Sequence, residues 1–115
     1  MCKIKKWEII LIAGILLCLC TLAYAFYAYE AVTVSYISKA LTTTTYGRAT
    51  KAFMTLETNN IYWTIDGVTI PTSAGVGHKL EVGQNLTLYN QDEIRNFRAV
   101  RSSATDAALK VTYWN

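Results

Sequence analysis

Ala52-Phe53-Met54-Thr55-Leu56, Glu57-Thr58-Asn59-Asn60 and Ile61-Tyr62-Trp63-Thr64-Ile65 form the stretch on which the fold reading turns. Apolar side chains at 52, 54 and 56, and again at 61, 63 and 65, recur with a period of two, which places one face of a strand in a core. Asn59-Asn60 between them tolerates positive φ and bonds its own backbone, so it reads as a turn. The stretch predicts two short strands joined by a tight connection.

The same period extends in both directions. Val32, Val34 and Tyr36 alternate with Thr33 and Ser35, and Leu80 with Val82, Leu86 with Leu88, and Leu109, Val111 and Tyr113 follow later. Asp66-Gly67, Gly75 to Gly77, Gly83-Gln84, Asn90-Gln91 and Ala104 to Asp106 separate these runs with turn residues. Six or seven short strands recurring about every ten residues predict a mainly β chain, a small antiparallel β-sandwich or jelly-roll-like module over residues 31–115. No segment past Tyr29 keeps a 3.6-residue period, and the β-branched run Thr42 to Thr45 reads as an extended edge or loop. Arg95, Arg98 and Arg101 recur every three residues. Either a bulge or turn near Asn96 resets the register, or one arginine points inward and is paired.

The N-terminal part reads differently. Ile9 to Tyr29 is an uncharged, proline-free run of 21 residues, roughly 31 Å as a helix and near the thickness of bilayer hydrocarbon. Ile9, Leu11, Ile12, Ile15, Leu16, Leu19, Leu22 and Tyr29 mark it as a membrane segment, so residues 1–30 are expected to be one hydrophobic helix. Lys3, Lys5 and Lys6 precede it and the next basic residue is Lys39, which predicts a cytoplasmic N-terminus and a β module outside. A cleaved signal reads the same residues, with Ala23-Tyr24-Ala25 as the small-x-small site and Phe26 as the first residue of a secreted chain. Both alternatives export the module. Cys18 and Cys20 follow leucines instead of the small residue of a lipoprotein signal, and read as apolar packing residues.

Composition narrows the function classes. The chain has 115 residues and a formal charge of +3, of which residues 31–115 contribute only +2, so nucleic acid is not an expected partner. All three cysteines, Cys2, Cys18 and Cys20, lie outside the β module, and no two ligand-type residues within it have a metal-site spacing. His78 is the only histidine; Ser73, His78 and Asp66 lack the glycine pattern of a nucleophile elbow. Asp92-Glu93 diverge as neighbours on a strand and read as the end of a loop. Asn85-Leu86-Thr87 matches a glycosylation acceptor but falls inside an expected strand. No enzyme, cofactor or small-molecule substrate is expected. What remains is surface: Arg95, Arg98, Arg101 and Tyr62 as a contact surface, with solvated or ion-paired arginines meeting Asp92, Glu93 or Asp106 as the plainer account. The expected partners are other copies of the chain or other particle proteins, and a lipid bilayer through residues 9–29.

Several ordered blocks carry a resemblance. Thr55 to Gly67, Pro71-Thr72, Gly77-His78, Glu81-Val82-Gly83, Ile94 to Arg101 and Thr105 to Tyr113 resemble a family of small β-sandwich proteins encoded among the structural genes of tailed bacteriophages and prophages. The likeness spans about residues 31–115 and implies a non-enzymatic virion component that works by surface contacts and self-assembly. It also implies that Asp66-Gly67 is a hairpin corner, that Gly77-His78 returns into the next strand, and that Arg98 and Arg101 lie on the strand beside the C-terminal one. The hydrophobic N-terminal segment departs from that pattern. It brings in the alternative of a membrane-anchored or secreted extracytoplasmic binding module of a bacterial cell or prophage. The expected location is the virion or a single-pass membrane position.

Overall fold

A computed structural model describes residues 26–115. Their strands are β1 (Tyr27–Val34), β2 (Lys39–Ala40), β3 (Lys51–Thr58), β4 (Ile61–Thr64), β5 (His78–Leu80), β6 (Asn85–Leu88), β7 (Arg98–Arg101) and β8 (Ala107–Trp114). Two short helices interrupt them, α1 (Thr43–Tyr46) and α2 (Gln91–Asn96). The strands form two antiparallel four-stranded sheets, ordered β1-β8-β3-β6 and β2-β7-β4-β5. Partners are therefore β1 with β8, β2 with β7, β3 with β6 and β4 with β5, as though one long hairpin had been rolled up.

Register follows from the alternation. In the first sheet Val32 pairs with Leu109 and Leu109 with Leu56, while Met54 pairs with both Val111 and Leu86. These side chains face inward and are buried or, at Leu86, partly buried, and they meet Ile61, Leu80 and Ala99 from the second sheet in one cluster. A bulge after Leu56 re-aims β3, Thr58 Oγ1 accepts the N–H of Ala108 at 3.0 Å, and Asn59 turns the chain at φ 55°. Tyr113 is fully buried and tilted against Tyr46. Burial, together with the nearby negative charge of Glu30, pushes its hydroxyl well above the ordinary tyrosine range.

Three expectations are corrected. Tyr29 does not end an apolar helix: it lies on β1 opposite Thr112, so the module starts four residues before residue 31. Tyr27, Tyr29, Ala31 and Thr33 are exposed while Val32 and Val34 are buried, and pairing with β8 satisfies this backbone as a strand. The expected membrane residues Ile9, Leu11, Ile12, Ile15, Leu16, Leu19 and Leu22 lie outside the described residues. Second, the threonine run is a single helical turn, not an extended edge. Thr42 O accepts the N–H groups of Thr45 and Tyr46, Tyr46 is buried, and Gly47 closes the turn at φ 46°. Third, Arg95 is helical: α2 is capped by Asn90, whose side chain accepts the Glu93 N–H at 2.8 Å, and it buries Ile94.

Leu109 sits fully buried between Val32 and Leu56. Leu109→Ala is expected to lower unfolding free energy by about 2–5 kcal/mol, measured by denaturant titration; a loss below about 1 kcal/mol would show that this contact is not central to the core.

Candidate functional site

The arginines fall in three different settings. Arg95, exposed on α2, meets Asp92 at 3.5 Å. Arg98 opens β7 opposite Thr64 and Ala40, and its Nη1 donates to its neighbour's carbonyl, Phe97 O, at 3.3 Å. Arg101 closes β7, pairs with Asp106, and holds its guanidinium carbon 5.3 Å from the ring centre of Tyr36. Three positions apart, Arg98 and Arg101 leave opposite faces of the strand. Both alternatives for the register thus occur together, a helical turn ending at Asn96 and a paired arginine at 101. Tyr62, half-buried on β4 beside Val100, shares a face with Arg98 and not with Arg101. The four residues do not form one patch. Nor does β7 lie beside the C-terminal strand, because β8 is flanked by β1 and β3 while β7 is flanked by β2 and β4.

Concave space lies around the long β4–β5 loop. One cleft of about 320 Å³ is lined by Thr64, Ile65, Asp66, Thr69, Gly77 and His78. Another, of about 240 Å³, runs along Val68, Thr69, Ile70, Asn96 and Arg98. Asp66 organises the loop: Oδ1 accepts the N–H groups of Val68 and Thr69 at 3.0 and 2.8 Å, and Oδ2 accepts the Thr69 hydroxyl. The Thr69 hydroxyl and then these backbone donors hold the Asp66 carboxyl below the usual carboxylate range. Gly77 is required where it stands, since a Cβ there would lie 2.9 Å from Trp63 O. His78 opens β5 with its ring centre 4.9 Å from that of Trp63. Asp66 and His78 therefore share a cleft, but both carboxylate oxygens are engaged by the loop itself. Among the described residues no group of three or more His, Cys, Asp and Glu side chains could hold a metal ion. No helix among them is long and apolar enough to cross a membrane.

A third surface escaped the sequence reading. On the outward side of the first sheet Tyr27 lies across from Trp114, and Tyr29 and Phe53 flank Thr112. Tyr27 is 73% exposed, Tyr29 58% and Phe53 37%, so an aromatic cluster faces solvent beside edge strand β1. The signal was present as aromatics at alternate positions 27 and 29, but it merged with the apolar run before it. No protein-family model, curated protein or solved structure matches the chain.

Two outcomes follow from these contacts. Arg101→Ala should cost about 1 kcal/mol of stability through the lost ion pair and ring contact, whereas Arg98→Ala should cost less than about half of that; equal losses would contradict the assignment. Asp66 has a lowered folded-state pKa, so its ordering of the loop is complete above the ordinary carboxyl value of 3.8 and is lost as pH falls through the lower folded value. Amide exchange at Val68 and Thr69 should accelerate in that acid window, and Asp66→Asn should remove the pH dependence.

Proposed function

We propose that the chain is a non-enzymatic, virion-associated structural protein of a bacteriophage, whose small β-sandwich of jelly-roll type acts by surface contacts and self-assembly. A hydrophobic N-terminal segment anchors it. The observation that carries this reading is the solvent-facing aromatic cluster of Tyr27, Tyr29 and Phe53 beside β1. Rings of this kind give large contact area for few frozen torsions. The strand order supports it by analogy of fold alone, since pairing first with last, second with seventh, third with sixth and fourth with fifth is jelly-roll connectivity, used by capsid and lectin domains among others. The blocks from Thr55 to Tyr113 that resemble phage structural proteins point the same way.

A second reading, a membrane-anchored or secreted extracytoplasmic binding module of a bacterial cell or prophage, is favoured by one observation. Strand β1 begins at Tyr27, two residues after the small-x-small site Ala23-Tyr24-Ala25. Sedimentation of the purified full chain separates the two. Self-assembly is expected, and Tyr29→Glu combined with Phe53→Glu should weaken it at least about tenfold, or about 1.4 kcal/mol, without lowering the melting temperature. A chain that stays monomeric at every concentration, or assembly indifferent to both substitutions, would overturn the first reading.

A further inference from the structure

Residues 9–25 are seventeen uncharged residues, about 26 Å as a helix against about 30 Å of bilayer hydrocarbon. β1 begins at Tyr27, so Phe26 alone separates that run from the first strand, about 3.5 Å of extended chain. Phe26 is itself fastened: its N–H donates to Asn115 Oδ1 at 2.9 Å, and its ring packs against the core and beside Gly47. A tether this short leaves no slack to hold the module clear of the headgroups.

Register shows what that end of the module presents. Tyr27 lies across from Trp114 and Trp114 across from Lys51, while Ala52 opposite Leu88 brings Tyr89 to the same end. A Cβ on Gly67 would lie 3.0 Å from the Asn96 side chain at the end of α2, so the β4–β5 loop also springs from here. Its Val68 is 86% exposed and Ile70 65%, beside Tyr89 at 69%. Arg48 and Lys51 supply positive charge. The acidic groups at this end are engaged locally, Asp66 in its own loop, Asp92 with Arg95, and Glu93 with the Tyr89 N–H.

We infer that this end of the module is seated in the headgroup layer of the bilayer that holds residues 9–25. Val68, Ile70 and Tyr89 insert beside Tyr27, and Arg48 and Lys51 meet anionic lipid. The inference rests on the anchored reading of the N-terminal segment. Its physical basis is the preference of aromatic rings for the interface and of basic side chains for anionic headgroups. Seventeen residues fall short of the hydrocarbon thickness, and that mismatch draws the first strand inward. Exposed Tyr36 and Ile37 lie at the far end of β1, an eight-residue strand length or about 26 Å away, beyond the lipid's reach.

The test uses the full chain in vesicles of phosphatidylcholine with one quarter phosphatidylglycerol. Spin labels are placed through Val68→Cys or, at the opposite end, Ser103→Cys, with the native cysteines replaced by serine. Resistance to carbonate extraction reports the anchor, and relaxation by oxygen against a water-soluble nickel chelate reports the depth of each label. The expected result is an extraction-resistant chain with the label at 68 shielded from nickel and the label at 103 open to it. An extraction-resistant chain with both labels open to nickel overturns the seating and leaves the anchor standing. A chain stripped by carbonate overturns the anchor and the seating with it. Ile70→Asp, which alters an exposed side chain, should restore nickel access at position 68 while leaving the melting temperature unchanged; unaltered shielding would overturn the role given to the loop.

Discussion

Strand β8 is bonded on both sides, to β1 and to β3, and the first sheet has no other link between its first and third strands. Its inward residues Ala107, Leu109, Val111 and Tyr113 are all buried; the last three each have a partner on either flank, and Ala107 has one on β1. A slip of one residue would turn all four to solvent and bring Ala108, Lys110, Thr112 and Trp114 inward. The exposure of Tyr27 and Tyr29, the burial of Met54 and Leu56, and the end of the module at which the N-terminal segment joins all follow from that single register.

The mainly β character and the two antiparallel sheets were legible because inward positions on β3 and β8 alternate with polar or exposed ones. The helices were not legible by periodicity, since four and six residues are too few to display a period of 3.6. For α2 a different signal was available: Asn90-Gln91-Asp92-Glu93 places a capping residue three positions before a glutamate, ahead of Ile94. For α1 there was none. Threonines disfavour helix, and the turn at 43–46 exists because burying Tyr46 and the positive φ of Gly47 override local propensity. The start of β1 was hidden because residues 26–29 are as apolar as the run before them.

Of the candidate surface, the individual fates of the arginines were partly legible. Arg95 with Asp92 and Arg101 with Asp106 are the ion pairs anticipated from their neighbours in sequence. Their dispersal was not, because it depends on α2 crossing from one sheet to the other. The clefts around Asp66 were likewise invisible, since they arise where a long loop folds back on Thr64, whose hydroxyl donates to Thr69 O at 2.8 Å.

The rolled pairing of first strand with last has a temporal side. The β1–β8 ladder joins Tyr27 to Trp114 across nearly the whole described length, so this sheet closes only after the final strand has emerged from the ribosome. In a nascent chain of this topology β1 lacks its ladder partner until β8 has been made. That delay keeps the N-terminal part of the module extended and postpones tertiary closure until the whole module is available.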